Sequence, residues 1–182
     1  MEIRHMAFEF DQDGQVILTG MPASGKSTIG VLLAKSTCRD FIDTDLVLQR
    51  REKATLQQLI DQNGMEWFIQ HETAAVRSLS QDLTQGIIAT GGSVVLSDDA
   101  MKHLQSLGQI IFIDVPLADL KNRLHNIHTR GIAMTKDQNI DDIYRQRLPL
   151  YRKYADYVFD AGSGQVEELV DKLSGLLKIK KC

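Results

Sequence analysis

Gly20-Met21-Pro22-Ala23-Ser24-Gly25-Lys26-Ser27-Thr28 decides the fold of this chain. The stretch spells G-x-x-x-x-G-K-S-T, the pattern of a phosphate-binding loop. Val16-Ile17-Leu18-Thr19 ahead of it predicts a short apolar strand, and Ile29 to Lys35 behind it predicts a helix. Strand, loop and helix in that order are the context the pattern requires. Backbone N–H groups of such a loop converge on phosphate oxygens, and the helix that follows points its positive dipole end at them. Gly20, Ala23, Ser24, Gly25 and Thr28 are therefore expected against a nucleotide. Lys26 would reach the β- and γ-phosphates as a point charge, and the Ser27 hydroxyl is placed for Mg²⁺. ATP and Mg²⁺ are the cofactors this reading implies.

Outward from the loop, hydrophobic segments alternate in type. Phe41-Ile42 reads as the end of a second strand, with Asp43 and Asp45 at its carboxyl end. Leu46 to about Ile60 is mainly helical, broken near Lys53-Ala54, and Asn63-Gly64 is a stop-and-turn signal. A further helix is predicted to about Leu83. Gly86 to Ala89 is a third strand running into Thr90-Gly91-Gly92-Ser93, and Ala100 to Leu107 is a short helix. Gln109 to Val115 is apolar almost throughout, which predicts a strand buried on both faces, as in a parallel sheet. Pro116 opens a helix to about His125, and Ile140 to about Ala155 is helical. Tyr157 to Asp160 is a last strand, before a final amphipathic helix that ends near Leu177. Alternating strands and helices predict an α/β architecture, a parallel sheet covered on both faces, with ligands at the carboxyl ends of the strands. The P-loop, the two aspartates and Thr90-Gly91-Gly92-Ser93 should then face one crevice.

Composition narrows the class. A chain of 182 residues with 43% hydrophobic and 25% charged residues is expected to be one soluble domain with a sizeable core. A net charge of −3 argues against a general nucleic-acid surface. No apolar run reaches the length of roughly 18–20 residues needed to span a bilayer, so no membrane partner is expected. Cys38 and Cys182 make neither a metal pattern nor a disulfide framework, which fits a cytoplasmic setting. Residues 1–14 are polar and weakly patterned and read as an N-terminal extension, with residues 15–182 as one domain. His71, His103, His125 and His128 lack metal-ligand spacing.

Taken in order, the P-loop, Asp43-Thr44-Asp45, Gly64 with Phe68 and Glu72, Thr90-Gly91-Gly92, Arg130, and Arg147-Leu148-Pro149-Leu150-Tyr151 resemble the shikimate kinase family of P-loop enzymes. The resemblance runs from about Gln15 to Leu177. It implies a three-layer αβα fold with a five-stranded parallel sheet, substrate-binding helices at about 46–83 and a mobile lid at about 126–139. It implies ATP, Mg²⁺ and phosphoryl transfer to a hydroxyl of a small carboxylated ring, with shikimate the default acceptor, by a monomer or weak dimer. By the same resemblance Asp43 serves the metal, Asp45 contacts substrate hydroxyls and orients the nucleophile, and Gly91 and Gly92 bring backbone close to substrate. Arg147 would grip the substrate carboxylate, a task suited to the guanidinium fork. Arg130 in the lid would stabilise charge on the transferring phosphoryl group, and Arg123 would stack on adenine. The spacing of Asp43 and Asp45 by two residues is expected to put both on one side of an extended segment.

The pattern breaks at Ile69. The family carries an arginine there, directly after the phenylalanine, as a second clamp on the carboxylate. Isoleucine donates no hydrogen bond, and losing one charge-assisted interaction of about 1.5–3 kcal/mol weakens binding tenfold to hundredfold. Ser93 stands where a third glycine is usual, and Met65 where an acidic residue is usual. A diverged shikimate kinase and a related enzyme with another small polyol or hydroxy acid as acceptor both remain open. A nucleotide-binding regulatory module without turnover is disfavoured by Asp45, which a pure binder does not need.

Overall fold

A computed structural model describes residues 14–80, 85–124, 132–135, 138–162 and 164–179. Five strands form one sheet in the order β2-β3-β1-β4-β5, every pairing parallel. They are β1 (Gln15–Thr19), β2 (Phe41–Asp43), β3 (Ile87–Ala89), β4 (Gly108–Asp114) and β5 (Tyr157–Asp160). Val16, Ile17 and Leu18 of β1 and Ile87, Ile88 and Ala89 of β3 are all fully buried. Successive strand residues point to opposite faces, so burial at every position means that both faces are covered. Helices α1 (Lys26–Thr37), α2 (Thr44–Glu52), α3 (Leu56–Arg77), α4 (Asp98–Leu107), α5 (Leu117–Arg123), α6 (Ile140–Tyr154) and α7 (Val166–Leu176) supply the cover. This is the α/β fold the sequence predicts.

The chain order fixes where chemistry lands. Adjacent β1 and β3 deliver the P-loop and Thr90-Gly91-Gly92, and β2 beside β3 delivers Asp43. Three strand ends therefore open on one crevice, as parallel topology demands.

Local detail departs from expectation in four places. Asp43 and Asp45 do not share an extended segment: α2 starts at Thr44, so Asp45 lies in its first turn. Asp43 caps that helix, its Oδ1 accepting the Asp45 N–H at 2.9 Å, because a free N-terminal amide needs an acceptor. At Gly64 the chain kinks without stopping. Left-handed backbone there (φ 82°, ψ 175°) interrupts α3, and the helix resumes to Arg77, short of Leu83. A single 3-10 turn, Val94–Leu96, follows the glycine turn and has no periodic signal in the sequence. Cys38, the left-handed C-cap of α1, is disulfide-bonded. The expectation of unlinked cysteines is thus corrected there, since separation along the chain says little about separation in space. The other cysteine, Cys182, lies outside the described residues, as do residues 1–13, which cover nearly all of the expected extension.

Candidate active site

The P-loop joins β1 to α1 through left-handed backbone at Ala23 (φ 65°) and Gly25 (φ 93°). Gly20 has no room for a side chain, since a Cβ there would lie 2.8 Å from the Ile113 carbonyl oxygen. Lys26 opens α1 and folds back over the loop. Its Nζ donates to the carbonyls of Gly20 and Met21, each at 2.9 Å, and to Ser24 Oγ at 3.4 Å. Burial lowers its ammonium to about 8, partly offset by the attraction of Asp45 and Asp43. Ser27 and Thr28, the next two residues of α1, are exposed at the mouth of the site.

A cavity of about 240 Å³ extends from this loop into the crevice. Lys26, Ser27 and Thr28 line one end, while Asp45, Phe68, Glu72, Gly92, Ser93 and Arg147 line the other. Asp45 is raised to about 6, first by burial, then by repulsion from Asp43, with Lys26 pulling the other way. The Gly91 N–H donates to Thr44 Oγ1 at 3.0 Å, which ties the glycine turn to the start of α2. A side chain at Gly91 would collide with Asp45 Oδ1 and Glu72 Oε1, so the turn is bare because two carboxyl groups fill the space beside it.

Arg147 reaches this end from α6 and is 1% exposed. Its Nη1 donates to the Gly92 carbonyl at 3.1 Å, and Nη2 donates to the Ala133 carbonyl. The same Gly92 oxygen accepts Tyr151 Oη at 2.5 Å, and the Tyr151 ring stacks on Phe112 with centroids 5.0 Å apart. Pro149 sits within α6 without ending it, and Arg147 two residues before it is buried. The arginine thus pins the glycine turn to Ile132–Ala133, the described part of the expected lid that lines the cavity.

The structure brings Lys26, Ser27, Thr28, Asp45, Gly92 and Arg147 together around the cavity, with Asp43 capping the helix that carries Asp45. Gly20 and Ser24 bond to Lys26 and Gly91 abuts Asp45 without lining the cavity, and two further residues stand away from it. Arg123 lies at the end of α5, where Nη2 donates to the Gly162 carbonyl at 3.0 Å, and it is not among the cavity-lining residues. Ile69 is half-buried on α3 and is likewise not part of the lining. Arg130 lies outside the described residues.

The family model described as shikimate kinase matches residues 22–178. This chain belongs to the shikimate kinase family. It is thereby a small-molecule kinase, taking phosphate from ATP and passing it to a hydroxyl. Shikimate kinase relatives from Nitrosomonas europaea and Syntrophus aciditrophicus are 30% and 29% identical over 162 and 177 residues. Those matches cover 88% and 90% of this chain and 76% and 90% of the relatives. The shikimate kinase of Acinetobacter baumannii, solved in complex with shikimate, has a TM-score of 0.82 at 26% identity, covering 91% of this chain and 93% of its own.

Against this shikimate kinase fold, sequence reasoning placed Ser93 on the crevice and Glu72 only in the family's motif order, and did not foresee the contact between them. Glu72 is 2% exposed, accepts Ser93 Oγ at 2.8 Å, and has no partner for Oε2 among the described residues. Burial, then repulsion from Asp45, pushes its carboxyl up to about 8. An available signal was the position of a glutamate on a stripe of α3 otherwise occupied by Phe68, Ala75 and Val76, all buried.

Proposed function

We propose that this chain phosphorylates shikimate at the expense of ATP, giving shikimate 3-phosphate, with the acceptor seated between Asp45, the glycine turn and Arg147. The observation that carries the reading is the cavity itself, which joins a P-loop lysine to a carboxylate and a buried arginine in one continuous space. The phosphates of ATP lie along the N–H groups of residues 20–28, and Lys26 exchanges its loop carbonyls for phosphate oxygens. Asp45 accepts the hydrogen bond of the attacking hydroxyl and aims it at the γ-phosphorus. As the acceptor of that hydrogen bond Asp45 must be ionised, so turnover is expected to fall as pH drops through about 6. Arg147 holds the ring carboxylate from the far side, its buried Nε being without a partner among the described residues.

Mg²⁺ fits this donor set. Ser27 supplies an exposed hydroxyl and Asp43 a carboxylate with one oxygen engaged in capping, hard oxygen ligands that leave most positions to water and phosphate. When bound it neutralises charge on the transferring phosphoryl group. Ile132 and Ala133 belong to a lid at about residues 126–139 that closes over the phosphates and carries Arg130 to the transferring group. Arg123 keeps its proposed place at the adenine edge only if it leaves Gly162. Residues 15–182 act as one domain, with α2 and α3 as the acceptor-binding helices. The protein works in the cytoplasm as a monomer or weak dimer on a small hydroxylated substrate, without nucleic acid or membrane. The net charge of −3 supports the expectation of no nucleic-acid partner.

One observation favours a second acceptor. Ile69 removes a cation from the acceptor end, and Arg147 already serves two carbonyls. A less acidic polyol suits such a pocket. ADP release measured with shikimate beside a panel of polyols, hydroxy acids and sugars separates the two. Saturable release with shikimate supports the first, and release only with a neutral polyol replaces it.

A further inference from the structure

Arg147 and Tyr151 stand four residues apart on α6, so they share a face of the helix, and both reach the carbonyl oxygen of Gly92. Tyr151 Oη donates to it at 2.5 Å and Arg147 Nη1 at 3.1 Å. A carbonyl oxygen has two lone pairs, and here two donors share them. The tyrosine is the better anchored donor. It is 1% exposed, and its ring stacks on Phe112 of β4, an interior strand of the sheet. Burial pushes the phenol above its ordinary range, so the hydroxyl stays a donor at neutral pH. The arginine spans two backbone oxygens, Gly92 in the turn after β3 and, through Nη2, Ala133. Two fixed points set the plane of a guanidinium group, and a bidentate grip on a carboxylate depends on that plane. Buried Nε has no partner among the described residues, which leaves the held group a donor for a ligand. Arg147 is the only arginine lining the cavity among the described residues, and Ile69 stands where the family has a second. With one arginine, affinity for a carboxylate rests on how well that group is oriented beforehand.

We propose that Tyr151 is a positioning residue for the acceptor: its hydroxyl holds the Gly92 carbonyl, and that carbonyl holds the Arg147 guanidinium in the orientation that receives the acceptor carboxylate. The assignment rests on reading this cavity as the shikimate site. Tyr151 does not line the cavity and acts through Arg147, so its effect is confined to acceptors that carry a carboxylate. Removing the hydroxyl leaves Gly92 with Arg147 Nη1 as donor, so the loss falls on recognition more than on stability.

The test compares wild type, Tyr151→Phe, Arg147→Met and the double variant on shikimate and on an analogue with a hydroxymethyl group in place of the carboxylate. Wild type is expected to prefer shikimate by about tenfold to hundredfold in kcat/KM. Tyr151→Phe keeps the ring on Phe112 and loses about three- to tenfold of that preference, through KM for shikimate. Its KM for the analogue and for ATP stays near wild type. Arg147→Met abolishes the preference, and adding Tyr151→Phe to it loses nothing more on shikimate. A tyrosine that only braced the fold would slow both acceptors alike and leave their ratio unchanged. If Tyr151→Phe does not fold, Phe112→Leu carries the test, with the same ratio falling by a smaller factor. No preference in wild type, an unchanged preference in the folded variant, or a full further loss in the double variant overturns the assignment while leaving the shikimate reading intact. No shikimate-dependent ADP release from wild type overturns that reading first, and the assignment with it.

Discussion

Replacing Arg147 with methionine keeps the length of the side chain and removes its charge and donors. Two effects follow from the geometry. The bonds to the Gly92 and Ala133 carbonyls disappear, although Gly92 keeps Tyr151 Oη. Hydrogen bonds from a charged donor are worth about 1.5–3 kcal/mol each, and removing a buried charge returns part of that, so the net loss is about 2–4 kcal/mol. For a chain of this size Tm should fall by roughly 5–15 °C. Separately, the acceptor carboxylate loses its remaining clamp, which raises KM for shikimate about tenfold to hundredfold. KM for ATP should change little, because Lys26 and the loop residues are untouched. Thermal unfolding and initial-rate ADP release read the two effects apart. A Tm within a degree of wild type refutes Arg147 as the strut between the glycine turn and residue 133. An unchanged KM for shikimate refutes it as the clamp.

Other perturbations address the remaining groups. Asp45→Asn should lower kcat by about 10²–10⁴-fold while ATP affinity, measured by calorimetry, stays near wild type; equal turnover removes Asp45 from the mechanism. Gly91→Ala puts a methyl against Asp45 and Glu72, so acceptor KM should rise and kcat fall with ATP binding retained; wild-type kinetics would contradict the packing described for that turn. Glu72 also makes stability depend on pH. Its folded pKa is about 8 against an ordinary 4.5, so between those values the folded chain holds a proton that the unfolded chain has lost, and stability falls as pH rises. Asp45 contributes in the same direction only up to about 6, and Lys26, lowered to about 8, contributes in the opposite direction only above that. Tm should therefore drop more steeply between pH 6.5 and 8 in wild type than in Glu72→Gln, and parallel curves would contradict the protonated state.

What was legible in the sequence was what local pattern encodes. The P-loop motif with its flanking strand and helix, the unbroken apolar run of β4 and the alternation of elements were enough for a parallel α/β sheet and its crevice. Lys26, Asp45 and Gly92 were legible from the P-loop motif and from their places at strand ends, while Arg147 was assigned through the family resemblance. The rest depended on long-range packing. Asp43 and Asp45 were read as extended, but the aspartate side chain caps the helix it precedes, and capping moved Asp45 onto α2. Arg123 was assigned to adenine through the resemblance alone, and in this structure it donates to the Gly162 carbonyl. Ser93 was legible as a departure, yet only the distance to Glu72 tells where its hydroxyl goes. Cys38 shows the same limit, since the spacing of cysteines along the chain does not reveal that it is disulfide-bonded.

The most direct measurement is the initial rate of ADP release by the wild-type protein with Mg-ATP as a function of shikimate concentration, with phosphorus NMR of the product. The account predicts saturable, shikimate-dependent release, one phosphomonoester product, and loss of both in Asp45→Asn. Release at the no-acceptor background across the whole shikimate range, from protein that binds ATP, would contradict it.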